Sequence, residues 1–170
     1  AVDTHLKVAG ALIDPHTPLG AKIGGFFKAA AYYATWYPGR YFGWGRWPRY
    51  GEFGRLARHV RFVDQMARRL ARTTFHAMLR FGPKLEKRQA VLFRVVDIGA
   101  ELFAMAVTCA RADMLAKKGQ PEAVELADLF CKDARRRVRA IFRRVFDNDD
   151  VATYAVARDV LAGKHVWMEN

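Results

Sequence analysis

A chain of 170 residues is long enough for one domain with a core of its own, and an apolar share of 52% excludes a disordered chain. The longest uncharged apolar stretch, 102–110, excludes a membrane-crossing helix, which needs roughly 20 such residues. A net charge of +12 and a pI near 10.2 point to an acidic counterpart (nucleic acid, anionic lipid, a polyanionic ligand) or to a basic face covered by a partner.

The opening AVDTHLKVAG has no basic region followed by an apolar one, so no secretory signal is read there. The chain begins without Met, and a piece of a longer polypeptide is expected. Cys109 and Cys131 stand far apart in apolar-periodic segments, which does not suggest a disulfide framework. A reducing, cytoplasmic location is expected, with contact at a membrane surface as an added expectation.

Residues 1–53 are rich in Gly, Pro and aromatics. Thr17-Pro18 predicts a cap and first helical residue, and Ile23, Phe27, Ala30 and Ala34 then recur at helical spacing. Gly20, Gly24 and Gly25 weaken that helix. From Thr35 to Phe53 the Gly and Pro content argues against regular structure. An irregular aromatic-rich arm with one short helix is therefore expected before a helical bundle over 54–170.

Within the bundle the first helix is predicted from about Arg55 to Phe81. Leu56, Val60, Val63, Ala67 and Leu70 form its apolar face, and Gly82-Pro83 stops it. The second runs from about Lys84 to Lys118. Its middle, VVDIGAELFAMAVTCA, is apolar nearly all round, which places it at the centre of a bundle. Gly99 inside it implies close approach of a neighbouring helix, and Gly119 suits the position just past its end. The third opens at Pro121-Glu122, with Val124, Ala127, Cys131, Ala134, Val138, Ile141 and Val145 facing inward. Asp128–Lys132 and Asp133–Arg137 are favourable pairs four residues apart. A fourth starts near Asp149 with an acidic cap and ends at Gly163. The fold class is all-α, a four-helix up-down bundle behind the arm.

Motifs for chemistry are sparse. There is no G-x-G-x-x-G and no P-loop. Asp97 and Glu101 lie one turn apart, but no Glu is followed three residues later by His, as a di-iron site would require. Pairing of Arg94 with Asp97 is the plainer reading. Asp147-Asn148-Asp149-Asp150 lacks the later Gly and Glu of a calcium loop and reads as a helix cap. His5, His16, His59, His76 and His165 are scattered. No catalytic residue, cofactor site or metal site is expected within these residues.

The conspicuous feature is 26–53, which holds twelve of the 22 aromatic residues interleaved with Lys28, Arg40, Arg46 and Arg49. Its candidate surface residues are Phe26, Phe27, Trp36, Arg40, Trp44, Arg46, Trp47 and Arg49. Three readings stay open: packing against the bundle or a partner domain, docking on an anionic membrane surface, and stacking on nucleic acid. Packing leads for an aromatic run of this kind. Nucleic acid is disfavoured because no helix-turn-helix or zinc-finger pattern accompanies the charge.

The stretch 85–119 resembles the C-terminal extension of very-long-chain acyl-CoA dehydrogenases. The likeness rests on Asp97, Gly99-Ala100, Phe103-Ala104-Met105 and Arg111-Ala112, and extends weakly through LADLFCKDARRRVR and the opening AVDTHLKVAGALIDP. Arg94, Asp97, Gly99, Glu101, Met105 and Arg111 are accordingly expected to be structural. The resemblance implies that FAD, the acyl-CoA channel and the catalytic glutamate belong to a core preceding residue 1. The parent reaction would be α,β-dehydrogenation of a fatty acyl-CoA. The partners implied are that core, a second copy in a homodimer, and a membrane surface near residues 20–53. The alternative is a basic helical module that binds nucleic acid or protein.

Overall fold

The computed structural model describes residues 18–43, 46 and 48–169, and every regular element among them is helical. Five α-helices follow one another: α1 (Leu19–Phe42), α2 (Ala57–Phe81), α3 (Gln89–Lys117), α4 (Ala123–Arg144) and α5 (Asp150–Leu161). Short 3₁₀ turns at Gly51–Leu56, Gly82–Lys87 and Val166–Glu169 complete the described structure. The chain divides into two compact units, one ending at Pro48 and one beginning at Arg49.

In the first unit, α1 is 24 residues long and passes straight through Pro38. This corrects the expected end of regular structure at Thr35. Pro38 withholds one N–H from the ladder and its ring already fits a helical φ, so the loss is confined to one turn. Rings on either side tie successive turns together. Tyr37 and Tyr41 lie 5.4 Å apart between centroids, with their hydroxyls at 3.3 Å, and the Arg40 guanidinium stacks 5.4 Å over Trp36. The helix stops at Gly43, whose φ of 58° is the left-handed conformation that ends many helices.

The second unit is built on α2, α3 and α4. α2 ends at Gly82 (φ 50°), where Pro83 then blocks continuation. The helical stretch expected from Lys84 is first a 3₁₀ turn, and α3 begins only at Gln89. Gly119, with φ 90°, follows the end of α3 as expected.

Contacts fix the helix directions. Glu101 meets Arg137 and Cys109 meets Cys131, so α3 and α4 run antiparallel. His59 meets Asp128 and Arg69 lies over the Phe142 ring, so α2 and α4 run parallel. The core drawn from them includes Phe62, Ile98, Leu102, Met105, Cys131 and Val138, all at most 5% exposed. Of the residues expected to face inward on α4, Val124 and Ile141 are half-buried and the other five are buried.

Two details differ from expectation. A Cβ built on Gly99 would find only Leu70 Cδ2, at 3.9 Å, which is ordinary contact. Close helix approach therefore does not explain this glycine. The last helix, α5, contributes no buried residue. Its start is capped by Asn148 Oδ1, which accepts from the Asp150 N–H at 3.1 Å, while the Asp149 side chain makes no capping bond.

Candidate functional site

α3 has two apolar faces. Val91, Ile98, Leu102, Met105, Cys109 and Ala112 are buried against α2 and α4. At 100° per residue, Phe93, Val96, Ala100, Phe103 and Val107 fall within an arc of about 80° on the opposite side. Phe93 is 63% exposed, Val96 64% and Phe103 71%. The helix expected at the centre of a bundle is thus covered on one side only. Ala100 and Ala104 line an open groove of about 480 Å³ between α3 and α4, together with Asp97, Glu101, Phe130, Arg137 and Ile141. Phe130 of α4 lines the groove, and Leu126 and Leu129 of α4 are exposed. Large apolar side chains gathered on one exposed helix face mark a face made for another surface.

The polar rim of the groove is tied down. Arg137 grips Glu101 through two bonds, at 2.6 and 2.9 Å, and also pairs with Asp133. Asp97 is exposed at the edge. It is not the partner of Arg94, which corrects that expectation. Arg94 instead holds Asp150 of α5 through two bonds of 2.6 Å in a fork geometry. The Asp150 carboxyl is held below its usual range by these bonds. Met105 is fully buried, and Arg111 is exposed with Nη1 at 3.9 Å from Met114 Sδ.

One cluster gave no clear signal in the sequence. Asp128, expected only as a partner of Lys132, is 4% exposed. It accepts from Lys132 at 2.8 Å, from Arg58, and from His59 Nε2 at 2.9 Å. These donors, Lys132 first, hold its carboxyl far below the ordinary carboxylate range. His59 is fully buried, and burial pulls its pKa below 6.5 despite the nearby carboxylate. The neutral ring donates from Nε2, and Nδ1 is buried without a hydrogen-bond partner. The only sequence hint was that Asp128 directly follows the buried Ala127 on the inward face.

The two cysteines, separated by 22 positions, meet across α3 and α4 with their sulfurs 3.6 Å apart and no exposure. Cys131 also lies 4.0 Å from the Met105 carbonyl. A shared hydrogen bond lowers the Cys109 thiol and raises that of Cys131. Sealed in the core, neither sulfur offers a nucleophile to a substrate. Among the described residues no three His, Cys, Asp or Glu side chains are grouped to hold a metal.

The candidate residues of the arm separate. Phe26 and Phe27 on α1 are 58% and 68% exposed, while Trp36 is buried at 9% with Arg40 stacked on it. Arg40 is half-buried. Arg46 and Arg49 are exposed, and the Arg49 carbonyl accepts from Arg61 at 3.4 Å. Trp44 and Trp47 lie outside the described residues. No helix among the described residues is long and apolar enough to cross a membrane.

The chain is 44% identical over 173 aligned residues to the probable acyl-CoA dehydrogenase FadE10 of Mycobacterium bovis, and equally to that of two Mycobacterium tuberculosis strains. The alignment takes in 99% of this chain but 27% of each relative, so the chain spans about a quarter of their length. No solved structure matches it. Residues 54–166, which hold the three-helix core, the groove and α5, match the model of the ACAD9/ACADV C-terminal domain, and the chain belongs to that family.

Proposed function

We propose that this chain is the non-catalytic C-terminal part of a FAD-dependent acyl-CoA dehydrogenase and that it packs on the catalytic core of the same polypeptide. The carrying observation is the exposed apolar stripe of α3 with its groove. Isolated phenyl rings on a surface are common, but a one-sided stripe running opposite a complete core needs a second cover. The relatives supply the occupant, because about three quarters of their length lies outside the aligned region. Covering each phenyl ring of the stripe contributes about 1.5–3 kcal/mol to docking.

In this reading the parent protein introduces a double bond between Cα and Cβ of a fatty acyl-CoA. The core would hold FAD, which would supply the acceptor for the hydride from Cβ, while a carboxylate of the core would take the proton from Cα. No side chain of this chain takes part. Glu101, the acid at the groove, is already held by Arg137, and the buried thiols and His59 have no access to a substrate. The groove is open and does not enclose a flavin ring. The four-helix bundle is completed on assembly, when the exposed Val156 and Val160 of α5 gain cover from the core or from a second protomer. In the first unit, Phe26 and Phe27 of α1 offer an apolar surface of their own to the core or to an anionic membrane.

The test is the full-length protein. Purified, it is expected to be yellow, with one flavin per chain, and to reduce an electron acceptor only when a fatty acyl-CoA is supplied. A full-length protein that is colourless and inert toward acyl-CoA across chain lengths overturns the proposal.

A further inference from the structure

Neither the bundle core nor the apolar stripe uses the cleft at the start of α3. Its volume is about 810 Å³, within the range of about 300–1,000 Å³ usual for small-molecule sites. Three cations, Lys84, Lys87 and Arg88, line it together with the apolar Val91, Val151 and Tyr154. No ion pair engages Lys84 or Lys87 among the described residues, and Arg88 has only a stacking contact, 5.6 Å over the Phe81 ring. The one acid in the lining, Asp150, has both oxygens bonded by Arg94 and attracts Arg88 through charge alone, without a salt bridge.

The backbone adds to the same field. The 29-residue α3 begins at Gln89, inside the lining, and Arg88 at its cap position makes no side-chain capping bond. The first amides of α3 therefore carry the positive end of the helix dipole toward the three cations. Positive charge this concentrated selects a ligand with more than one negative charge. The volume and the apolar wall exceed what an inorganic ion fills.

We propose that this cleft binds a soluble phosphorylated small molecule of nucleotide size, with its phosphates against Lys84, Lys87 and Arg88 and its apolar part against Val91, Val151 and Tyr154. Lys and Arg at a helix start are an ordinary cradle of phosphate, and a ring or alkyl group against Tyr154 fixes the orientation. The site is separate from the docking stripe, which lies further along α3, and it does not depend on the dehydrogenase reading.

Calorimetric titration of the full-length protein with inorganic pyrophosphate and with ADP tests it. Lys84→Ala with Lys87→Ala is expected to weaken both ligands by about tenfold or more. Lys117→Ala with Lys118→Ala removes equal charge about 40 Å away along α3 and is expected to leave both affinities within about twofold. Tyr154→Ala is expected to weaken ADP and spare pyrophosphate, which separates the apolar wall from the cations. Thermal unfolding of each variant checks that the fold is kept. Pyrophosphate binding that is the same in the wild type and the Lys84/Lys87 variant overturns the assignment.

Discussion

Burying Asp128 is tolerable only because three donors converge on it. Arg58 and Lys132 keep about half of their side chains in solvent, which screens their contribution, whereas His59 is fully enclosed. Asp128→Asn leaves those donors with a weaker acceptor and is expected to cost about 2–3 kcal/mol, read from urea unfolding. The pH dependence follows from the directions of the two shifts. His59 is pulled below 6.5 in the folded chain, so as pH falls through that value the unfolded chain takes up a proton the folded one refuses. Stability is therefore full above about pH 6.5 and declines below it. Asp128 adds a second loss below 3.8, where the unfolded carboxylate protonates first, and it continues until Asp128 itself titrates. In His59→Gln the decline between about pH 7.5 and 5.5 is expected to shrink, and an unchanged decline would remove His59 from the explanation. Gly99 carries the opposite expectation. With only Leu70 Cδ2 at 3.9 Å from a built Cβ, Gly99→Ala is expected to stabilise by about 0.5–1 kcal/mol in the same measurement.

Helix order followed from punctuation and spacing, and the errors have physical causes. Gly82-Pro83 and Gly119 marked ends because they alone permit or impose the backbone found there. Pro38 misled in α1, since a single missing N–H was outweighed by stacked rings one turn apart. Pro38→Ala is expected to slow amide exchange across residues 38–42, as the missing bond is restored. The partner of Arg94 was not legible either. Asp97 is near in sequence, but Asp150, 56 positions away, presents both oxygens to the fork. That contact anchors α5, which has no buried residue to hold it. Arg94→Ala is expected to speed amide exchange throughout residues 151–161 while leaving α2 to α4 protected.

The assembly into which the bundle fits was legible mainly as excess. The centre of α3 held more apolar residues than one core could use, and the sequence placed it at the middle of a bundle for that reason. The structure divides those residues between a buried face and an exposed one, a division that depends on where α2 and α4 sit. Periodicity alone could not separate a helix surrounded by its own chain from a helix awaiting a second cover. The Asp128 cluster and the Cys109–Cys131 contact were hidden for a related reason, because each joins helices whose mutual register no local pattern encodes. The docking assignment makes Phe103 the residue to watch, 71% exposed here while Phe62 is 5% exposed in the core. Hydroxyl-radical labelling of the full-length protein compares the two rings in one molecule. Docking on the catalytic core requires Phe103 to be labelled as slowly as Phe62; labelling at the rate of an open surface ring would contradict it.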